Sequence, residues 1–387
     1  MLTRRGFLGA LAAARKPNLV LILADDMGYG DIGCYGSKDV PTPHLDALAQ
    51  GGVRFTDGYV SCAVCSPSRA ALLTGRYQQR FGHEFNSGPM EREAEVGFGL
   101  PVGEKILPDL LRSAGYRSIA IGKWHLGVRP GFHPLDRGFD EFFGFPAGRR
   151  VVASDGDRGR LAERADPIRR GKEPVAEDRY LTDAFADEAV RFIERNRARP
   201  FFVYLAPNAI HTPLHALEKY VDRVAGIADE KHRMLAAMTV ALDDAVGLLA
   251  GKLRELGLER DTLFVFLSDN GCPVSTGAGT NAPLNGEKVT YFEGGIRVPW
   301  IMRWPGRIPT GKVYREPVVS RDLMPTFLAA AICCPFCGAE RGARMRRCTG
   351  GRVKRGRCEK GNGSWSNSAR SLQGCTTSAW TSGRPGT

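Results

Sequence analysis

A doubly wound α/β fold, with a largely parallel sheet flanked by helices, follows from two features of the amino-acid sequence. Continuous aliphatic runs recur along the first 331 residues, the pattern of strands covered on both faces. Segments with helical spacing of apolar residues lie between them, and strands alternating with helices build parallel sheets. The first run is Leu19 to Ala24; Ser118 to Ile121, Phe201 to Ala206, Thr262 to Leu267 and Val298 to Met302 read as further strands. The helical patterns cover Pro43 to Gln50, Pro67 to Thr74, Glu104 to Ala114, Tyr180 to Asn196 and Lys231 to Leu256. Residues 147–178, rich in Arg, Asp and Gly, read as a surface insertion, and no internal repeat is visible.

The chain of 387 residues carries 54 Lys+Arg against 42 Asp+Glu, a formal charge of +12. A basic balance invites a nucleic-acid reading, but its distribution removes it. Residues 332–387 hold 11 Lys/Arg and 2 Asp/Glu, which leaves the first 331 residues at only +3. No specific nucleic-acid partner is expected. No run of eighteen uninterrupted apolar residues occurs, so no helical membrane span is expected either.

Six of the ten cysteines, Cys333, Cys334, Cys337, Cys348, Cys358 and Cys375, crowd that last segment. Its large aliphatic and Phe residues are Ile332, Phe336, Val353 and Leu372, too few to offset the entropy of ordering the backbone. A disordered basic tail is expected over 332–387. Cys334-Pro-Phe-Cys337 is half of a zinc site, but the tail has no His and no second ligand pair at regular spacing. The abrupt change after Leu328-Ala329-Ala330-Ala331 reads as sequence foreign to the body, as after a reading-frame shift. At the other end, Thr3-Arg4-Arg5-Gly6-Phe7-Leu8 followed by an Ala-rich run makes residues 1–15 a twin-arginine export signal, predicting a periplasmic or secreted protein. Residues 16–331 are then the folded body.

In an open α/β sheet, ligands gather beyond the carboxyl ends of the strands. Asp25 and Asp26 follow the first strand, Lys123 and His125 the second, His211 the third, and Asp269 and Asn270 the fourth. Three carboxylates converging without a cation repel, and all-oxygen donors with an amide carbonyl suit Ca²⁺ or Mg²⁺. The segment Cys62-Ala63-Val64-Cys65-Ser66-Pro67-Ser68-Arg69 adds a thiol. Ser66 reads as an N-cap with Pro67 in the first turn, so Cys65 is expected just ahead of a helix whose N–H groups, with Arg69, favour an anion. Asn208 and His215 are further candidates for the rim.

Cys65-Ser66-Pro67-Ser68-Arg69 resembles the signature of type I sulfatases, in which the cysteine is oxidised to formylglycine. Pro17-Asn18-Leu19 through Asp25-Asp26-Met27-Gly28, Gly122-Lys123-Trp124-His125-Leu126-Gly127, His211-Thr212-Pro213, Ser268-Asp269-Asn270-Gly271 and Gly286-Glu287-Lys288 agree in order, so the resemblance covers about Lys16 to Ala331. It implies an alkaline-phosphatase-like fold, a formylglycine-generating maturation enzyme as partner, and Ca²⁺ held by Asp25, Asp26, Asp269, Asn270 and modified residue 65. It further implies sulfuric ester hydrolysis through a gem-diol and a covalent sulfo-enzyme intermediate, on a carbohydrate or aryl sulfate. His125 would deprotonate the diol, His211 and Lys288 would bind sulfate and protonate the leaving alcohol, and Lys123 and Arg69 would neutralise sulfate oxygens and steady the nucleophile. The family's chain continues into a smaller C-terminal subdomain, whose strand and helix patterns are missing from 332–387. Two rivals stand beside this reading: a phosphonate or phosphodiester hydrolase of the same superfamily, and a truncated, non-catalytic product with a polyanion-binding tail. Arg149, Arg150, Arg158, Arg160, Arg169 and Arg170 are placed to meet an acidic sugar chain, or to line a solvated loop.

Overall fold

The computed structural model describes residues 16–86, 98–148 and 167–333. The segment expected to be an export signal, most of the expected insertion and the tail from 334 onward lie outside the described residues, as does any test of a C-terminal subdomain. The chain divides into residues 1–339 and 340–387, and the described residues all belong to the first unit.

All seven residues of β1 (Asn18–Ala24) are buried, which is why its aliphatic run is unbroken. Leu19, Leu21 and Leu23 join one hydrophobic cluster and Val20, Ile22 and Ala24 another, the alternation that a pleated strand imposes. Strands β2 (Val53–Phe55), β3 (Gly58–Tyr59), β4 (Arg117–Lys123), β5 (Glu141–Phe145), β6 (Arg169–Arg170), β7 (Glu173–Pro174), β8 (Phe201–Ala206), β9 (Thr262–Ser268), β10 (Trp300–Arg303), β11 (Lys312–Tyr314) and β12 (Val318–Val319) follow. The helices are α1 (Pro43–Gln50), α2 (Cys65–Thr74), α3 (Leu107–Ser113), α4 (Leu181–Asn196), α5 (Glu218–Val221), α6 (Glu230–Glu255), α7 (Glu293–Ile296) and α8 (Leu323–Cys333).

Ten strands form one sheet in the order β11-β2-β10-β9-β1-β8-β4-β5-β6-β7, with β3 and β12 paired separately. Its centre is parallel: β9, β1, β8, β4 and β5 all run the same way, with Ala24 opposite Ser268 and Gly122 opposite Ala206. Antiparallel β10 and β6 flank this block. Helices α1, α4 and α6 bury apolar residues in one cluster, and α2, α3 and α8 in the other. The expected doubly wound sheet is therefore present, and the carboxyl ends of β1, β4, β8 and β9 share one edge.

Several boundaries differ from expectation, and three elements start two or more residues away from where they were expected. The expected strand from Val298 starts at Trp300, because the Val298 N–H is spent on Gly58 O and Pro299 has none to give. The helix expected from Glu104 starts at Leu107, where the Asp109 carboxylate accepts the Ile106 N–H at 3.1 Å. The helix expected from Pro67 starts two residues earlier, at Cys65. Among the described residues, α6 is long and apolar enough on composition to cross a bilayer, which a search for uninterrupted runs overlooks. Two-thirds of that stretch (67%) is buried inside the protein, as in a core helix.

Candidate functional site

Parallel neighbours that end together bring their following residues together, and the site forms at that edge. Asp25 and Asp26 leave β1, Lys123 ends β4, and Asp269 and Asn270 leave β9; all five are at most 3% exposed. The Asp25 N–H donates to Ala209 O and the Asp269 N–H to Ala24 O, which locks the loop beyond β8 and the end of β9 onto β1. Asp26 (φ 64°) and His125 (φ 58°) both hold the left-handed conformation. Strain of that kind costs on the order of 1–3 kcal/mol per residue and concentrates at functional sites. His125 is held there by its N–H to Pro146 O. A Cβ at Gly148 would lie 2.2 Å from its Nε2, so only glycine lets the chain pass the ring.

Cations brace the carboxylates. Arg69 Nε and Nη2 donate to Asp269 Oδ2 at 2.9 and 2.7 Å, and its Nη1 to Lys123 O. Lys123 Nζ donates to both Asp25 oxygens at 2.9 and 2.8 Å. Lys288 Nζ donates to both Asp26 oxygens at 2.6 and 2.8 Å and lies 3.4 Å from Cys65 Sγ. His211 Nε2 is 3.6 Å from Asp26 Oδ2, with its ring partly exposed. Charge repulsion among the three Asp was expected to require a metal, but Arg69, Lys123 and Lys288 already answer it one for one.

A different observation suits a cation. Asn270 Nδ2 donates to Asp26 Oδ1 at 2.7 Å, while its Oδ1 is buried with no hydrogen-bond partner among the described residues. Buried polar atoms are paired with few exceptions, and this one is a neutral oxygen beside carboxylates. Ligand atoms of Asp25, Asp26, Cys65 and Asp269 all lie within 4.8 Å of one another. Three carboxylates and an amide oxygen are the donors that Ca²⁺ or Mg²⁺ takes.

Cys65 opens α2, with Sγ at 3.6 Å from Asp25 Oδ1 and 3.8 Å from Asp26 Oδ1. Ser66 is not the N-cap. Val64 holds that position without a side-chain cap, and the free Ser66 N–H is satisfied from outside the helix by Asn86 Oδ1 at 3.0 Å. The Ser66 hydroxyl is thereby released for other partners, His125 O at 2.6 Å and His83 Nε2 at 2.7 Å. No sequence spacing pointed to His83 or Asn86. Both lie beyond α2 in a segment with no regular pattern.

Burial pushes the Cys65 thiol well above its ordinary pKa, and Asp269 and Asp25 add to this against the pull of Lys123 and Lys288. An unmodified Cys65 is therefore a neutral thiol. Burial alone would raise the Asp25 carboxyl, but Lys123, His211 and Arg69 outweigh it and hold it below the usual range. Burial disfavours charge on Lys288 too, yet the Asp26 and Asp25 carboxylates keep it protonated. Burial and then the charges of Lys123, Arg69, Lys288 and His211 drive His125 well below the ordinary imidazole value, so it is neutral and able to take a proton.

Of the weaker candidates, Asn208 has a buried Oδ1 without a hydrogen-bond partner among the described residues, and its carbonyl accepts from the His211 N–H. His215 packs its ring on Tyr180 and its N–H on Met238 Sδ, in apolar surroundings. Arg170 is committed to Glu188 at 3.0 Å and to the face of Phe143. Arg169 donates to Lys172 O; Arg149, Arg150, Arg158 and Arg160 lie outside the described residues.

The family model described as Sulfatase matches residues 17–332. The chain is 39% identical over 344 residues to N-acetylgalactosamine-6-sulfatase of Sus scrofa, covering 84% of this chain and 64% of that relative. It is 39% identical over 345 residues to arylsulfatase A of Homo sapiens, covering 83% of this chain and 65% of the relative. The solved structure of Ps i-CgsB in complex with k-i-k-neocarrahexaose superposes with a TM-score of 0.76 at 40% identity, over 82% of this chain and 72% of that one. The chain thus spans a little under two-thirds of the length of these curated relatives.

Proposed function

The chain belongs to the sulfatase family, and from that premise we propose that it hydrolyses a sulfate ester carried by a carbohydrate. The observation that carries the proposal is the position of Cys65. It is 1% exposed at the start of α2, between Asp25 and Asp26, with the Lys288 ammonium 3.4 Å from its sulfur. A thiol held neutral there is a poor nucleophile. Oxidised to formylglycine by a maturation enzyme, the residue supplies a hydrated aldehyde whose hydroxyl accepts the sulfuryl group and whose second hydroxyl allows its release.

The chain's own residues supply the rest. Asp25, Asp26, Asp269, Asn270 and residue 65 would hold Ca²⁺ or Mg²⁺, which as a Lewis acid stabilises charge on the transferring group. The three carboxylates and three cations of the cluster cancel, so a divalent ion leaves the site net positive and suited to an anionic ester. Lys123 and Lys288 offer preorganised donors where charge develops, worth roughly 10²–10³ in rate for each such group. Neutral His125 takes the nucleophile's proton. His211, the more exposed of the two, returns a proton to the leaving alcohol.

A glycan substrate is supported by two exposed rings close in sequence to the site. Tyr291 and Phe292 lie three and four residues after Lys288 and are 65% and 61% exposed, with the Tyr291 hydroxyl 3.4 Å from Cys62 Sγ. Such flat rings suit the faces of sugar rings. The relatives agree in class, one being an N-acetylgalactosamine-6-sulfatase and another a structure in complex with k-i-k-neocarrahexaose. Export to the periplasm or beyond rests on Thr3-Arg4-Arg5-Gly6-Phe7-Leu8 alone. The test is production with a formylglycine-generating enzyme, then assay on 4-nitrophenyl sulfate and a panel of sulfated oligosaccharides. Turnover confined to protein with oxidised residue 65 is expected. Fully oxidised protein with no sulfatase activity, or with a large preference for an aryl phosphonate, overturns the reading.

A further inference from the structure

His83 is 1% exposed and stacked on Phe98, with ring centroids 4.8 Å apart. An apolar side chain would fill that space without the cost of burying an imidazole, so its hydrogen bond asks for an explanation. Ser66 Oγ stands 2.6 Å from His125 O and 2.7 Å from His83 Nε2. A hydroxyl has one proton, and a carbonyl oxygen can only accept. Both contacts are satisfied together only if Ser66 donates to His125 O and His83 Nε2 carries a hydrogen donated to Ser66.

We propose that His83 is a positioning residue for the proposed reaction: its Nε2–H fixes the Ser66 hydroxyl on the His125 carbonyl, and this relay holds His125 in place beside Cys65. The relay bridges the two segments that must stay in register. Ser66 is the residue after Cys65 on α2, its N–H held by Asn86 Oδ1. His125 has its N–H tied to Pro146 O and its C=O tied to Ser66, so both of its peptide groups are clamped in a left-handed conformation that a non-glycine residue leaves when released. Burial lowers His83 to a pKa of about 4 against the opposing influence of the Gly99 backbone, so the imidazole is neutral; its Nδ1 has no hydrogen-bond partner among the described residues, which leaves the Ser66 contact to set the tautomer.

The kinetic arm of the test rests on the proposed sulfatase activity; the spectroscopic arm does not. The full chain is matured in the same host as His83→Phe, His83→Gln and Ser66→Ala, with oxidation of residue 65 quantified by peptide mass spectrometry. On 4-nitrophenyl sulfate, His83→Phe and Ser66→Ala are expected to lower kcat by about tenfold, the scale of one lost hydrogen bond, with KM within about twofold. The double variant should lose no more than either single one, as coupled neighbours do. His83→Gln, whose amide N–H can replace the donor, should recover most of kcat. Wild-type kcat in His83→Phe, additive losses, or a Gln variant no better than Phe would overturn the proposal. If the wild type turns over no sulfate ester, the sulfatase reading falls, and ¹⁵N spectra of the histidine-labelled protein still decide the relay. Hydrogen on Nε2 of His83 is expected, and hydrogen on Nδ1 refutes it.

Discussion

Arg69 places two N–H groups on a single oxygen of Asp269, at 2.9 and 2.7 Å, with both side chains fully buried. It also lies 3.3 Å from Asp25 Oδ1 and donates to Lys123 O at 2.9 Å. Arg69 therefore acts through the carboxylates, and the planar fork is what a lysine lacks. Arg69→Lys is expected to keep the charge but lower kcat/KM by about 10²-fold. Arg69→Ala should also destabilise by about 3–5 kcal/mol, because it strands a buried carboxylate. Steady-state kinetics and urea midpoints check both, and full activity in Arg69→Lys would remove the fork from the account.

Cys65→Ala separates chemistry from folding. The thiol sits at 3.4–3.8 Å from Lys288, Asp25 and Asp26, long contacts that add little stability. Turnover should vanish while the urea midpoint changes by less than the equivalent of about 1 kcal/mol. Residual activity above the uncatalysed rate would mean that another group takes the sulfuryl moiety.

The parallel centre of the fold was legible because its strands are buried on both faces. Phe201–Ala206 and Thr262–Ser268 are wholly buried, and a strand that sees no water carries an unbroken apolar run. The flanks were not legible: Val53–Phe55 and Lys312–Tyr314 have three residues each, too short for a period to show. Glu141–Phe145 went unread too, its Phe run interrupted by Gly144, which packs on the Gly122 backbone where no Cβ would fit. The strand-end residues of the site were readable, since topology alone brings them together. What escaped the sequence was conformation and cross-chain pairing. The left-handed Asp26 and His125, the external cap from Asn86, and the three cations assigned one to each carboxylate all depend on neighbours far apart in sequence.

Metal binding has a readout independent of turnover. A ligand at 100 times its Kd stabilises the folded state by about 2.7 kcal/mol, and saturating Ca²⁺ should raise Tm accordingly. Asn270→Ala removes the buried Oδ1 that lacks a partner, together with the amide that donates to Asp26. It should abolish most of the calcium-dependent shift as well as activity. Excess chelator should lower turnover of the wild type. An equal Tm shift in the variant, seen by scanning calorimetry, would exclude Asn270 as a ligand.

Tyr291 tests the proposed glycan substrate apart from the chemistry. Its ring is 65% exposed and its hydroxyl lies 3.4 Å from Cys62 Sγ. Tyr291→Ala should raise KM for a sulfated oligosaccharide by about 3–10-fold, the scale of one aromatic contact. It should leave kcat and the KM for a small alkyl sulfate nearly unchanged. Equal effects on both substrates would assign Tyr291 to the sulfate site itself.

The pH dependence of stability should carry the signature of Asp31. Its Oδ2 accepts the Gly28 N–H and its Oδ1 the Thr280 N–H, each at 2.7 Å, which ties the loop after β1 to the segment beyond β9. Burial nonetheless outweighs those bonds and raises its pKa from 3.8 to about 6. A carboxyl with a folded value above its unfolded one binds its proton more tightly in the native state. Its contribution is therefore fully present below pH 4 and lost as pH rises through 6, a change on the order of 3 kcal/mol for about two units. Asp31→Asn has no such proton to release. Urea midpoints measured from pH 4 to pH 7 should show the wild type losing ground to Asp31→Asn across that window. A constant difference between the two proteins would mean that Asp31 is charged at every pH in the range.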